Sequence, residues 1–154
     1  MAIVGVISDT HGLLRPEAVV ALRGSDRIVH AGDVGAPEIL DELAKIAPVT
    51  AVRGNVDRAD WARGIPNSEL IEVEGVSIYV LHIREELDLN PQAAGVGVVV
   101  FGHSHMPAQE VNRGVLYFNP GSAGPRRFKL PVSVGRLVIE SGTALGEIVE
   151  LEVE

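Results

Sequence analysis

The sequence predicts an α/β protein. The first 52 residues alternate between strand-like and helix-like segments, and the strand-like segments are unbroken apolar runs. Unbroken apolar runs are typical of strands that are covered on both faces, and strand–helix–strand repeats give parallel strands joined by right-handed crossovers. The second half instead contains strand-like segments that flank short turns. We therefore expect a parallel N-terminal sheet followed by a strand-rich C-terminal half.

The first half predicts three strands and two helices. The first helix has Pro16 in its first turn and Gly24 just beyond its end, positions that suit these residues. The second helix is predicted over residues 37–47, where apolar side chains recur on one face and Pro48 follows as a stop. The predicted strands are Ala2–Ile7, Arg27–His30 and residues 49–52, and the first helix is Pro16–Leu22.

The second half predicts strands that are mostly paired. Residues 69–81 are predicted to form two strands around a turn at Glu74-Gly75, and residues 96–101 form a buried strand. Residues 111–118 turn at Asn112-Arg113-Gly114. The last two predicted strands, residues 133–139 and 147–154, flank a turn near Ser141-Gly142. The last of these segments alternates apolar and acidic residues, which predicts one buried and one solvated face. The sequence shows no linker, long-period repeat or low-complexity tract, so we expect one domain over residues 1–154.

The composition excludes several classes of protein. Hydrophobic residues make up 46% of the 154 residues and charged residues 22%, which is typical of a globular chain. The absence of cysteine excludes disulfides, zinc ribbons, iron–sulfur clusters and thiol catalysis, so any metal must be held by oxygen and nitrogen. The net charge of −8 opposes stable binding to nucleic acid or to an anionic membrane.

The sequence also predicts a cytoplasmic location. The longest apolar stretch, residues 93–101, is shorter than the ~18 residues that a membrane-spanning helix needs. The N-terminal segment lacks the basic residues of a secretory signal before Ser8. We therefore expect no membrane association.

Polar residues follow the predicted apolar strands at their carboxyl ends. In an open α/β sheet these ends meet along one edge, which is where ligands bind. Each residue taken alone has a simpler explanation, because an Asp or Asn after a strand is usually a turn former or helix cap, and a lone His is usually a satisfied hydrogen-bonding group. We keep that explanation for His30. The coincidence of seven donors at strand ends favours a shared metal site formed by Asp9, His11, Asp33, Asn55, His82, His103 and His105.

The donor set favours two metal ions over one. Seven nitrogen and oxygen donors exceed what one tetrahedral zinc ion uses, but they suit two cations that share a bridging carboxylate. Two cations ~3.5–4 Å apart form the clamp used for in-line displacement at phosphorus. With two carboxylates and a bridging hydroxide, such a centre keeps about one positive charge, which would attract an anionic substrate to an acidic protein.

The motifs resemble those of the calcineurin-like metallophosphoesterases, and their order and spacing are most similar to the small YfcE-type phosphodiesterases. The resemblance covers nearly the whole chain. It rests on Ser-Asp-Thr-His-Gly at 8–12, Gly-Asp at 32–33, Gly-Asn-Val-Asp at 54–57, His82, Gly-His-Ser-His at 102–105 and Asn-Pro-Gly-Ser at 119–122. It implies a four-layer α/β/β/α sandwich with two mixed β-sheets that carries a dinuclear metal site.

The resemblance also implies a role for each site residue. One metal would be held by Asp9, His11 and His105, the other by Asn55, His82 and His103, and Asp33 would bridge them. A metal-bridging hydroxide would hydrolyse a small-molecule phosphodiester, with catalytic roles for Asp33, Asn55 and His82.

Several points stay open at this stage. Asn55 and Arg53 would contact the substrate, although Arg53 could equally pair with Asp57. Asn-Pro-Gly-Ser at 119–122 is interpreted as a structural turn. Manganese is the expected metal, with iron, nickel, cobalt and zinc left open, and the sequence is compatible with a homo-oligomer.

Two residues depart from the family pattern. Many family phosphatases carry a His after the Gly-Asn pair, thought to protonate the leaving group, whereas this chain has Val56, which cannot transfer a proton. Ile83 stands where a Gly would be usual after His82. A β-branched residue does not easily adopt positive φ, so we expect the loop that carries His82 to run differently.

Two other functions compete with hydrolysis. The first is a metal-binding scaffold for protein–protein interaction, like the metallophosphoesterase-like subunit of retromer, although a scaffold does not need all seven donors. The second is nucleotide binding without hydrolysis, which is weaker because the sequence contains neither a Walker A motif nor a Gly-x-Gly-x-x-Gly loop.

Overall fold

Two five-stranded mixed sheets form the centre of the molecule, as seen in a computed structural model that describes residues 1–153. The strands of the first sheet are, in spatial order, β10 (Thr143–Glu150), β9 (Ser133–Glu140), β1 (Ala2–Ile7), β2 (Arg27–His30) and β3 (Val49–Ala51). Those of the second sheet are β4 (Ser68–Val73), β5 (Val76–Leu81), β6 (Val96–Val100), β8 (Val115–Asn119) and β7 (Ala108–Asn112). Strands β1, β2 and β3 are parallel, as are β5, β6 and β8, and the outer pairings are antiparallel. The predicted fold class is therefore confirmed.

The main core lies between the two sheets. Val4, Val6 and Leu137 from the first sheet pack with Ile78 and Phe118 from the second, and all five side chains are fully buried. Burial of each such side chain stabilises the fold by about 1.5–3 kcal/mol.

Helices α1 (Pro16–Leu22) and α2 (Pro37–Ala44) cover the outer face of the first sheet through Leu22 and Leu43. The outer face of the second sheet has a thinner cover. A short 3₁₀ segment, Arg84–Glu86, lies there, and the Arg84 guanidinium stacks 4.4 Å from the ring centroid of Tyr117.

Several predicted boundaries were wrong, most of them by one residue. Helix α2 ends at Ala44 rather than at residue 47, because its last turn tightens to bonds such as Ile46 N–H to the Leu43 carbonyl before Pro48. Strand β7 begins at Ala108, not at residue 111.

The last strand was also misplaced. Strand β10 covers Thr143–Glu150 rather than residues 147–154, because the turn at Ser141-Gly142 fixes its register and β10 pairs with β9 along all eight residues. Glu154, the end of the predicted segment, lies outside the described residues.

Within residues 1–153, no helix is both long enough and apolar enough to span a bilayer.

Candidate metal centre

The predicted site residues lie in loops that turn sharply at the carboxyl ends of strands. Five of them have positive φ, a region that costs a non-glycine residue about 1–3 kcal/mol. These are Asp9 (55°), His11 (46°), Asp33 (56°), His103 (73°) and His105 (64°). Such strain persists only where the surrounding structure holds it, and its concentration in one place marks a functional site.

Backbone hydrogen bonds hold the first two loops together. The N–H groups of Asp9, His11 and Gly12 donate to the carbonyls of Gly32, Asp33 and Val34, at 3.0, 2.9 and 2.8 Å. The pairing of β1 with β2 therefore continues past the ends of the strands. It fixes Asp9 and His11 relative to Asp33.

A first cluster of metal-ligand type consists of Asp9, His11 and His105. Asp9 Oδ1 lies 3.4 Å from His105 Nε2 and 3.7 Å from His11 Nε2, and the two Nε2 atoms are 3.4 Å apart. Ligand atoms on a tetrahedral cation at about 2.1 Å are separated by about 3.4 Å, so the spacing fits one metal ion. Asp9 Oδ1 is buried and has no hydrogen-bond partner.

A second cluster consists of Asp33, His82 and His103. His82 Nδ1 lies 2.7 Å from the Ala31 carbonyl, which accepts a hydrogen bond from the Nδ1–H and so leaves the lone pair on Nε2. This buried Nε2 has no hydrogen-bond partner and lies 3.2 Å from Asp33 Oδ2. An imidazole nitrogen that faces a carboxylate oxygen at this distance suits a cation beside them, so the residues fit a metal ion.

Asp33, which belongs to the second cluster, also faces His11 of the first. Its Oδ2 atom is 3.2 Å from His82 Nε2 and 3.6 Å from His11 Nε2, while Oδ1 accepts a hydrogen bond from the Val56 N–H at 3.0 Å. One carboxylate oxygen is thus directed toward both clusters and the other is held by the backbone.

The electrostatics of the site favour ionised carboxylates. Burial raises the pKa of Asp9, but the close contacts with His105 and His11 outweigh it, and the pKa is well below its usual value. Burial also raises the pKa of Asp33, and the contacts with His82 and the Val56 N–H lower it overall. Both groups are therefore negatively charged at neutral pH.

The two carboxylates in turn favour positive charge on the histidines. The contact with Asp9 raises the pKa of His11, while burial and the nearby charge of Arg127 act in the opposite direction. Burial lowers the pKa of His82, but Asp33 and Asp9 raise it overall. The same field that stabilises a protonated imidazole stabilises a bound metal cation.

His30 is structural, as predicted. It is fully buried, its Nδ1 accepts a hydrogen bond from the Gly32 N–H at 3.1 Å, and its Nε2–H donates to Thr10 Oγ1 at 3.0 Å. The Thr10 hydroxyl in turn donates a hydrogen bond to the Val34 carbonyl at 2.8 Å. Burial lowers the pKa of His30 to about 4, so the ring is neutral.

Asp57 is a supporting residue whose role sequence reasoning missed. It is buried and accepts hydrogen bonds from the N–H groups of Val34, Gly35 and Gly54, at 3.0, 3.0 and 2.9 Å. It therefore ties the loop after β2 to the loop after β3. The signal was present in the Gly-Asn-Val-Asp motif, whose carboxylate is placed to accept N–H bonds from a tight turn.

The pairing of Arg53 with Asp57 that the sequence left open is not formed. Arg53 Nε and Nη2 instead donate to Asn67 Oδ1, both at 3.2 Å. The guanidinium lines a cavity of about 270 Å³ beside the second cluster, together with Asn55 and His82. Asn55 is exposed at this cavity.

The loop after His82 does not need a glycine. Ile83 has φ of −112°, which is ordinary extended backbone, and His82 reaches the second cluster. The chain does not enter the left-handed region at Ile83, so a β-branched residue is accommodated there without strain.

Asn-Pro-Gly-Ser at 119–122 acts as a structural turn, as predicted. The Asn119 side chain donates to the Gly102 carbonyl at 3.2 Å and to Ser104 Oγ at 3.1 Å, which holds the loop that carries His103 and His105. The Ser122 hydroxyl donates to the Asp9 carbonyl at 3.1 Å. This turn therefore joins the loops of both sheets.

Comparison with known proteins identifies the family. The calcineurin-like phosphoesterase superfamily domain matches residues 1–142. A probable metallophosphoesterase of Methanocaldococcus jannaschii is 37% identical over 151 residues, which cover 90% of this chain and 76% of that protein. The chain belongs to the calcineurin-like phosphoesterase superfamily, and the resemblance of its motifs is confirmed.

Solved structures confirm the fold. YfcE, a phosphoesterase from E. coli, superposes with a TM-score of 0.69 at 26% identity over 88% of each chain. An archaeal phosphodiesterase gives a TM-score of 0.78 at 22% identity, with 96% of this chain and 99% of the other covered. Vps29 from Entamoeba histolytica in complex with Zn²⁺ gives 0.73 at 23% identity, with 96% and 98% covered.

Proposed function

We propose that this protein hydrolyses phosphodiesters with two divalent metal ions. The observation that carries the proposal is the position of Asp33, whose Oδ2 atom is directed toward His11 of one cluster and His82 of the other. A carboxylate in this position suits two cations at the separation used for phosphoryl transfer.

Each ion would have its own ligands. Asp9, His11 and His105 would hold the first ion, Asn55, His82 and His103 the second, and Asp33 both. Manganese is the expected metal, with iron, nickel, cobalt and zinc as alternatives, since the ligand set is compatible with each. When bound, the two cations would polarise the phosphoryl oxygens and lower the pKa of a water toward ~7.

Residues around the clusters would orient the reaction. The Ala31 carbonyl fixes the ring of His82, and the Val56 N–H fixes the carboxylate of Asp33. Arg53, held in place by Asn67, would bind a phosphoryl oxygen or a polar group of the substrate in the adjacent cavity, and Asn55 would contact the substrate beside it. Hydrogen bonds of this kind typically decide whether a ligand is placed accurately enough for catalysis.

A scaffold function is the second candidate, because Vps29 has the same fold. A scaffold would bind another protein and would not require turnover. The complete donor set and the strained backbone at five of its members favour the enzyme, since strain of this kind is costly to keep without a catalytic use.

Metal removal tests the proposal. Purified protein is treated exhaustively with a chelator and assayed with bis(p-nitrophenyl) phosphate before and after single divalent metals are added back. We expect chelation to abolish activity and added metal to restore it, because the proposed nucleophile is a metal-bound water and the clusters themselves contribute no other nucleophile. Full activity after chelation would contradict the mechanism, and metal binding without turnover for every metal would favour the scaffold.

Val56 predicts a preference among substrates. Its side chain is 48% exposed beside Asp33 and cannot donate a proton to a leaving group. Proton donation by a general acid is worth about 10²–10⁴ in rate, and a p-nitrophenolate leaving group needs it least. We therefore expect kcat/KM for p-nitrophenyl diesters to exceed that for alkyl monoesters. Equal turnover of glycerol phosphate would show that another residue supplies the proton.

A further inference from the structure

Residues 125–131 form an exposed loop with an unusual aromatic residue at its centre. Phe128 is 89% exposed and has φ of 54°. A bulky residue in the left-handed region is a genuine outlier, and an aromatic ring left in water forgoes the stabilisation that burial would give. Neither feature supports the fold, so the loop calls for a functional explanation.

The loop begins next to the first cluster, just after Gly124. The backbone just before it is packed so closely that a Cβ on Gly124 would overlap the carbonyl oxygens of Asp9 and Thr10. The Arg15 guanidinium also donates to the Gly124 carbonyl, at 3.2 Å from Nη2. The start of the loop is therefore fixed beside Asp9.

Phe128 lines the same surface depression as Met106, the residue next to His105 of the first cluster. Met106 follows His105 directly, is itself 55% exposed, and lines one shallow apolar depression together with Phe128 and Leu130. An apolar surface thus lies beside the first cluster, and it shares no lining residue with the cavity that Arg53 lines.

The loop is also strongly basic. Arg126, Arg127 and Lys129 are exposed and occupy three of four consecutive positions in a chain of net charge −8. Positive charge concentrated here would attract an anion locally, although the rest of the molecule repels one. An aromatic ring flanked by cations is the combination that binds a planar base attached to a phosphate.

We propose that this loop selects substrates in which a nucleobase is attached to the scissile phosphodiester, with the base stacked on Phe128 and the phosphate directed to the metal centre past Arg127. The inference rests on the proposed function and adds the class of substrate. The negative net charge disfavours a membrane or a long nucleic acid as the occupant, whereas a substrate of mononucleotide size requires only one ring and its neighbouring cations.

Two substrates with the same leaving group test the proposal. Thymidine 5′-(p-nitrophenyl phosphate) carries a base and methyl p-nitrophenyl phosphate does not, so any difference between them comes from the group that stays on phosphorus. Phe128→Leu is expected to lower kcat/KM for the thymidine ester about tenfold, the loss expected for one stacked base. The methyl ester should be unaffected, and Phe128→Tyr should retain the preference because it keeps the ring.

Leu145→Ala provides the matched control, because Leu145 is 72% exposed on β10 and is not part of the loop. Calorimetric binding of thymidine 5′-monophosphate and ribose 5-phosphate to the metal-loaded protein gives a second measurement. We expect Phe128→Leu to weaken only the nucleotide.

Three results would overturn the inference. The first is an equal effect of Phe128→Leu on both esters, and the second is no effect on either. The third is loss of binding to phosphatidylglycerol vesicles in Phe128→Leu with nucleotide binding unchanged, which would assign the loop to a membrane. If the wild-type protein hydrolyses neither ester with any metal, the proposed function fails instead, and the calorimetric comparison still decides the role of Phe128.

Discussion

Replacing Asp33 with Asn is expected to lower kcat/KM for bis(p-nitrophenyl) phosphate by at least about 10³-fold, because even the loss of a group that only supports a metal ligand costs about 10–100-fold. The geometry explains why an amide cannot substitute. If its oxygen accepts the Val56 N–H as Oδ1 does, its NH₂ group points at His11 and His82, where the proposed cations would bind. If the amide is flipped, its NH₂ group faces the Val56 N–H, so two donors meet and neither has an acceptor.

The control for this variant is Asp41→Asn. Asp41 is exposed on α2 and belongs to neither cluster, so the variant makes the same change of charge and shape outside the site. Metal content by elemental analysis and thermal unfolding are measured beside activity. We expect Asp33→Asn to bind fewer than two ions while remaining folded. A variant that keeps both ions and wild-type kcat/KM would remove Asp33 from the centre of the mechanism.

Much of the site was predictable because its residues follow apolar strands. Asp9 comes two residues after Ile7, at the end of β1 in the first sheet, and His82 comes directly after Leu81, at the end of β5 in the second sheet. Each therefore lies at the carboxyl edge of its own sheet, and the packing of the two sheets brings the edges together. The motifs then predict which of these residues are metal ligands and which are turn residues. This reasoning works because a parallel arrangement collects the carboxyl ends of strands.

Other features were not predictable because they depend on contacts that sequence does not contain. The partner of Arg53 is Asn67, fourteen positions away, and no local pattern distinguishes it from Asp57. The positive φ of the non-glycine site residues depends on hydrogen bonds between loops, such as the one from the His11 N–H to the Asp33 carbonyl. The end of β10 at Glu150 depends on where β9 begins, at Ser133, whereas the alternation of the sequence continues past Glu150.

Replacing Gly54 with Ala is expected to reduce activity about 10²-fold without removing any ligand, since displacement of a catalytic group by about 1 Å can cost that much. Gly54 is buried, and a Cβ there would overlap Asp33 at its Oδ1 atom and its backbone nitrogen. Asp33 cannot retreat freely, because its own carbonyl accepts the His11 N–H at 2.9 Å. Gly54 also donates to Asp57 at 2.9 Å, so a shift of its backbone would loosen that contact as well.

Gly64→Ala is the matched control for this last variant. Gly64 lies ten positions further along the chain, is exposed, and a Cβ there would meet nothing within 4 Å. We expect Gly64→Ala to keep wild-type kcat/KM and metal content, and Gly54→Ala to lose affinity for the ions together with activity. Because Gly54 itself touches no metal, this pattern would show that close packing of the loop after β3 against Asp33 sets the position of the carboxylate. Wild-type activity and two bound ions in Gly54→Ala would mean that the centre tolerates a shift of Asp33, and the argument for a tightly placed bridge would fail.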